Sequence, residues 1–147
     1  MTTGFLQVLL VEDNPADVDL ARDALETSNL PLEISVATDG IEALEFLQGR
    51  GRYIGASRPD LILLDLNLPR KNGKELLAEI KLDKDLKRIP IVILSSSEAE
   101  KDVTQSYDLG ANCYVTKPVD LKVFQAIVHG IEEFWFSIVK LPPRVQG

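Results

Sequence analysis

Strand-like and helix-like segments alternate along this chain, which predicts a doubly wound α/β domain built on a parallel sheet. Two observations carry that expectation. Short runs dominated by Val, Leu and Ile recur at residues 7–11, 60–64 and 89–94, and a further short strand-like run stands at 112–115, as strands covered on both faces read. Between them stand stretches whose apolar residues fall three and four apart, the period of a helix with one buried face. Parallel strands need crossover connections, and these are right-handed, so the helices must lie on both faces of one sheet. In such sheets the site lies beyond the carboxyl ends of the strands.

Taken in chain order, each element has its own signal. Residues 32–37 alternate apolar and polar, as a strand nearer the edge does, and bring the strand count to five. Helical patterns cover 16–28 (Val18, Leu20, Ala21, Ala24 and Leu25), 41–47, 75–82 and 98–109. Asn14-Pro15 supplies a cap and a first-turn proline, Asp39 can cap the second helix and Gly110 can stop the fourth. Residues 48–59 form one long irregular connection, with Arg50, Arg52 and Arg58 around Tyr53. A loop of that length is uncommon unless it is functional or mobile.

A fifth helix is expected from Leu121, where Phe124, Ile127, Val128, Ile131, Trp135 and Ile138 continue one core-facing stripe. At about 100° per residue Phe136 falls outside that stripe, and Phe134 and Val123 lie on its flank. Aromatic surface beyond what one core can hide commonly marks an interface. Val123, Phe134 and Phe136 are therefore the expected centre of a homodimer.

Composition narrows the classes. With 147 residues, 45% hydrophobic and 27% charged, the chain suits one ordinary domain. The pattern occupies residues 5–138 and leaves a tail at 139–147, with no output domain expected. A net charge of −7, from 16 basic and 23 acidic residues, argues against nucleic-acid binding. The lone Cys113 can form no internal disulfide, and no apolar run approaches a membrane span, so a soluble, cytoplasmic protein is expected. His129 is the only histidine and is expected to be a solvated helix residue.

The residues at the carboxyl ends of the strands carry the chemistry. The first strand delivers Glu12 and Asp13, the third Asp65, the fourth Ser95 and the fifth Lys117. Three carboxylates at one sheet edge repel one another unless a cation stands between them. Oxygen ligands without His or Cys select a hard ion, Mg²⁺ first and Mn²⁺ as an alternative. A carboxylate beside such an ion can attack phosphorus and form an acyl phosphate, and Asp65 is the candidate nucleophile. Lys117 and Ser95 can stabilise phosphoryl oxygens.

These residues resemble the receiver-domain family of two-component response regulators. Leu-Leu-Val-Glu-Asp-Asn-Pro at 9–15 is similar to its acidic-pair motif, and Asp-Leu-Ile-Leu-Leu-Asp-Leu-Asn-Leu-Pro at 60–69, with Gly73 beyond, to its phosphoacceptor motif. Pro-Ile-Val-Ile-Leu-Ser-Ser-Ser at 90–97 and Tyr-Val-Thr-Lys-Pro at 114–118 resemble the switch-hydroxyl and lysine segments. The resemblance implies a flavodoxin-like sheet in the order 2-1-3-4-5 with five helices. It implies phosphorylation of Asp65, direct metal binding by Asp13, a water-mediated role for Glu12 and a metal-binding backbone carbonyl on Asn67. It further implies that Ser95 moves toward the phosphoryl group, that Tyr114 swings inward, and that the Lys117-Pro118 bond is cis. Ser95 stands where the family more commonly has Thr, which keeps the hydroxyl.

Three further segments narrow the resemblance: Arg-Gly-Arg-Tyr at 50–53, Leu-Asp-Lys-Asp-Leu-Lys-Arg-Ile-Pro at 82–90 and Gly-Ile-Glu-Glu-Phe-Trp at 130–135. They are similar to those of the cyanobacterial phytochrome response regulators, small stand-alone receivers, and imply a phytochrome-type histidine kinase as partner. On this reading the chain catalyses only its own phosphotransfer and dephosphorylation. Two other classes compete. An aspartyl-nucleophile, Mg²⁺-dependent phosphatase would use Asp65-Leu66-Asn67 as a degenerate Asp-x-Asp, but its nucleophile belongs on the first strand. A phosphorylation-independent binding module would not need every pocket residue.

Overall fold

The computed structural model describes residues 6–26, 32–56, 58–96, 100–111 and 113–116. Strand β1 (Leu6–Val11) leads into α1 (Pro15–Glu26), then β2 (Leu32–Ala37), α2 (Gly40–Gln48), β3 (Leu61–Asp65), α3 (Gly73–Leu82), β4 (Ile91–Ser95), α4 (Glu100–Asp108) and β5 (Cys113–Thr116). All pairings are parallel and the sheet order is β2-β1-β3-β4-β5. The expected helix from Leu121 and the tail at 139–147 lie outside the described residues.

Strand pleating sorts the apolar residues onto two faces. Leu9, Val11, Ile62, Leu64, Ile91 and Ile93 point to one side and pack with Ala43 and Leu47 of α2 and Leu76, Leu77 and Ile80 of α3. Val8, Leu10, Leu61, Leu63, Val92 and Leu94 point to the other and pack with Ala21, Val18 and Leu20 of α1. Every residue of β3 and β4 is buried, which accounts for their unbroken hydrophobic runs.

Several boundaries differ from the sequence expectation. Asp65 is the last residue of β3, so the strand delivers it directly into the sheet edge. Helix α3 begins at Gly73, two residues before the apolar pattern, because Asn72 and Glu75 form a reciprocal capping box. The 48–59 connection is partly structured: a 3₁₀ turn spans Gly51–Tyr53. Arg52 stacks over Tyr53 and pairs with Glu42 at 2.9 Å, and the Tyr53 ring meets Phe46 of α2 edge-on at 5.2 Å. Tyr53 is thus half-buried against α2, and Arg52 reaches Glu42 of that helix while its side chain stays largely exposed.

Gly40 marks where α2 meets the loop after β3. Its backbone lies so close to that loop that a Cβ would stand 2.1 Å from the Lys71 carbonyl oxygen. A glycine-to-alanine change inside a helix ordinarily stabilises by about 0.5–1 kcal/mol. Overpacking against backbone costs about 1–3 kcal/mol or more, so the clash wins. Gly40→Ala is expected to lower stability by about 1–2 kcal/mol, read as a lower urea midpoint at unchanged slope. An unchanged midpoint would mean that the loop yields freely.

Candidate functional site

The site is assembled at the carboxyl ends of β1, β3 and β4. Glu12, 1% exposed, follows β1 and donates its backbone N–H to the Ala37 carbonyl at 3.0 Å, which anchors it beside β2. Asp13 is exposed at the next position. Asp65 is 5% exposed, and its Oδ1 accepts the Asn67 N–H at 3.0 Å. Carboxylate oxygens of Glu12, Asp13 and Asp65 all lie within 4.8 Å of one another. Ser95 is fully buried at the end of β4, one residue past the Asp65–Leu94 register pair. An oxygen-only triad with two buried members and one facing solvent suits a hard divalent ion that retains waters.

Of these groups Asp13 and Ser95 line a cleft of about 500 Å³, together with Asn67, Asn72, Lys74 and Asp102 and with Leu66, Leu68 and Pro69. The sequence reading brought Glu12, Asp13, Asp65, Asn67 and Ser95 to one sheet edge; the structure sets Asp13, Asn67 and Ser95 on the cleft, with Glu12 and Asp65 beside Asp13. It did not anticipate Asn72, Lys74 or Asp102. Asn72 was legible as a cap three residues before Glu75, but Lys74 and Asp102 are 28 positions apart and only the tertiary fold brings the two side chains together. Tyr114 is half-buried against the α3-side core, and its N–H donates to the Tyr107 hydroxyl at 3.1 Å, tying edge strand β5 to α4. Lys117, Pro118, Val123, Phe134 and Phe136 lie outside the described residues.

The loop from Leu66 to Asn72 is held from both ends. Gly73 donates its N–H to the Leu66 carbonyl at 2.8 Å, and a Cβ there would stand 2.5 Å from both the Asp65 carbonyl oxygen and Leu66 Cα. Only glycine lets α3 start this close to the end of β3. Arg70 adopts a left-handed backbone (φ 63°), uncommon for a side chain of its size, and its guanidinium pairs with Asp39, the cap of α2, at 2.9 Å. Burial alone would raise the Asp39 carboxyl. The Arg70 guanidinium and the backbone N–H groups of Glu42 and Ile41 outweigh it and hold the carboxyl below its ordinary value.

The class that fold and site define is a doubly wound α/β domain with a divalent-metal site at the carboxyl edge of its sheet. Residues 8–129 match the response regulator receiver domain, and the chain belongs to that family. Response regulator Rcp1 of Synechocystis sp. is 52% identical over 135 residues, 92% of each chain. The crystal structure of the phosphorylated cyanobacterial phytochrome response regulator RcpA is similar with a TM-score of 0.87 and 54% identity, over 95% of this chain and 99% of that one. The Mn²⁺-bound form of Rcp1 is similar with a TM-score of 0.85 and 51% identity, over 94% and 99%. The Glu12, Asp13 and Asp65 cluster is a receiver-type divalent-metal site. Among the described residues no helix is long and apolar enough to cross a membrane.

Arg70→Ala keeps a Cβ in the left-handed region and so isolates the ion pair. The Asp39 carboxyl is expected to titrate higher in the variant, by ¹³C NMR. Because the wild-type carboxyl is depressed in the fold, its stabilising contribution is present above the unfolded value of roughly 3.9. It is lost as pH falls through the lower folded value. The deficit of the variant should therefore appear at neutral pH and fade in acid. An unmoved Asp39 titration would show that Arg70 does not set it.

Proposed function

We propose that this chain is a phosphoacceptor of a two-component relay, with Asp65 taking a phosphoryl group from the phosphohistidine of a kinase. The observation that carries the reading is the burial of Asp65 at the end of β3 with Glu12 and Asp13 oxygens within 4.8 Å. A carboxylate oxygen of Asp65 forms the new O–P bond while the P–N bond to the kinase imidazole breaks, and the imidazole leaves with that electron pair. Bound Mg²⁺, or Mn²⁺, supplies charge neutralisation for the phosphoryl oxygens.

Asp13 would ligate the ion directly, Glu12 through water, and Asn67 by its backbone carbonyl. Ser95 at the cleft floor would donate to one phosphoryl oxygen and Lys117 would pair with another. Inward rotation of Tyr114, with Ser95 and Pro118 as the other switch residues, would report the event on the α4–β5 side. Later attack of water on phosphorus returns the Asp65 carboxylate, so the chain acts only on itself and needs no metabolic substrate.

The relatives support a finer reading, in which the kinase is a phytochrome-type light sensor: their names place RcpA among cyanobacterial phytochrome response regulators, at 54% identity to this chain. A homodimer through Val123, Phe134 and Phe136 belongs to the same reading and rests on the aromatic pattern of the sequence. No nucleic-acid or membrane partner is required.

Acetyl phosphate with Mg²⁺ is expected to add one phosphoryl mass to the wild type and none to Asp65→Asn, and chelation by EDTA should abolish the gain. Undiminished uptake by Asp65→Asn would move the nucleophile elsewhere. For the dimer, sedimentation of Phe134→Glu/Phe136→Glu should give a folded monomer where the wild type self-associates. A wild type that stays monomeric with and without beryllofluoride defeats that part alone.

A further inference from the structure

We propose that Lys74 and Asp102 form an electrostatic latch that holds α4 on α3 and opens when Asp65 carries a phosphoryl group. The proposal rests, for its opening step, on the reading of Asp65 given above. Lys74 stands in the first turn of α3, where the partial positive charge of the helix end disfavours a cation. Its placement there is explained by what it reaches. The ammonium donates to the Asp102 carboxylate, and to the Gln105 side-chain carbonyl at 2.8 Å, both on α4. The Lys74 and Asp102 side chains are only 29% and 28% exposed, so the pair is shielded from water more than an ordinary surface pair.

Besides this pair, α4 is tied to β5 through the Tyr107 hydroxyl, which accepts the Tyr114 N–H at 3.1 Å, and its apolar burial is slight. Ser106 is its single buried residue among those described, and the Ser106 hydroxyl meets no hydrogen-bond partner there. Val103 is half-buried, and Leu109, just beyond the helix, packs on the core edge. A helix with so small an apolar face depends on its polar contacts for position.

The latch shares the cleft with the site. Lys74 and Asp102 line the same cavity as Asp13, Asn67 and Ser95. A phosphoryl group there adds negative charge and strong acceptor oxygens. It competes with Asp102 for the ammonium and repels the Asp102 carboxylate. Both effects weaken one contact, and that contact is the tie of α4 to α3, leaving the Tyr107–Tyr114 tie to β5 in place. The route runs through α3 and is separate from the Ser95–Tyr114 path along β4 and β5.

The test is hydrogen exchange of the α4 amides in wild type, Lys74→Met, Asp102→Asn and the charge-swapped Lys74→Glu/Asp102→Lys, with phosphoryl content of each sample read by intact mass. In wild type, acetyl phosphate and Mg²⁺ should speed α4 exchange. Without phosphorylation, each single variant should already exchange roughly tenfold faster than wild type, the equivalent of losing one charge-assisted hydrogen bond. Phosphorylation should then add little. The swap should restore slow resting exchange, which loss of packing alone would not allow. A wild type that takes up no phosphoryl mass overturns the reading of Asp65 and the opening step with it. Phosphoryl mass on the wild type, with α4 exchange unchanged in both single variants, overturns the latch alone, as does a swap that exchanges as fast as the single variants.

Discussion

Two buried carboxylates, Glu12 and Asp65, stand with a third, Asp13, close enough that their oxygens lie within 4.8 Å of one another. At an effective dielectric near 20 a buried pair of like charges at that separation repels by roughly 3–4 kcal/mol. That is a large share of the 5–15 kcal/mol by which domains are ordinarily stable. The fold tolerates the arrangement by surrounding it with donors: the Asn67 N–H on Asp65, and the more distant Asn14 N–H on Glu12 at 3.4 Å. The remaining imbalance suits a divalent cation. Much of the structure around the cleft can be understood as the means of keeping these charges together.

The loop after β3 is the clearest of those means. Gly73 lets α3 begin against the backbone of Asp65 and Leu66, and the Asn72–Glu75 box closes the first turn of that helix. On the opposite side Gly40 lets α2 abut Lys71, and Arg70 reaches Asp39 across the same contact. A close backbone approach and a guanidinium fork restrict the loop in different ways, one by sterics and one by charge. The left-handed Arg70 is the local strain this geometry demands. Rigidity here contrasts with α4, whose interface is polar and whose burial is slight. One element fixes the charge, and the other is free to answer it.

The sequence by itself determined the sheet and the identity of the acidic cluster. Runs such as Leu-Ile-Leu-Leu in β3 read as two-sided strands because their residues pack against helices on both faces, and a strand covered on both faces leaves no polar period. Glu12, Asp13, Asp65 and Ser95 were legible because a strand end is a local property and the sheet edge gathers such ends whatever the helices do. Contacts between residues far apart in the chain were decided only by the tertiary structure: Lys74 with Asp102 and Gln105, Arg70 with Asp39, and Gly40 against Lys71. Each depends on the distance between helices or loops, which side-chain volumes in the two cores set. Periodicity shows which face of a helix is buried, but not which charged residue on its flank will meet a partner.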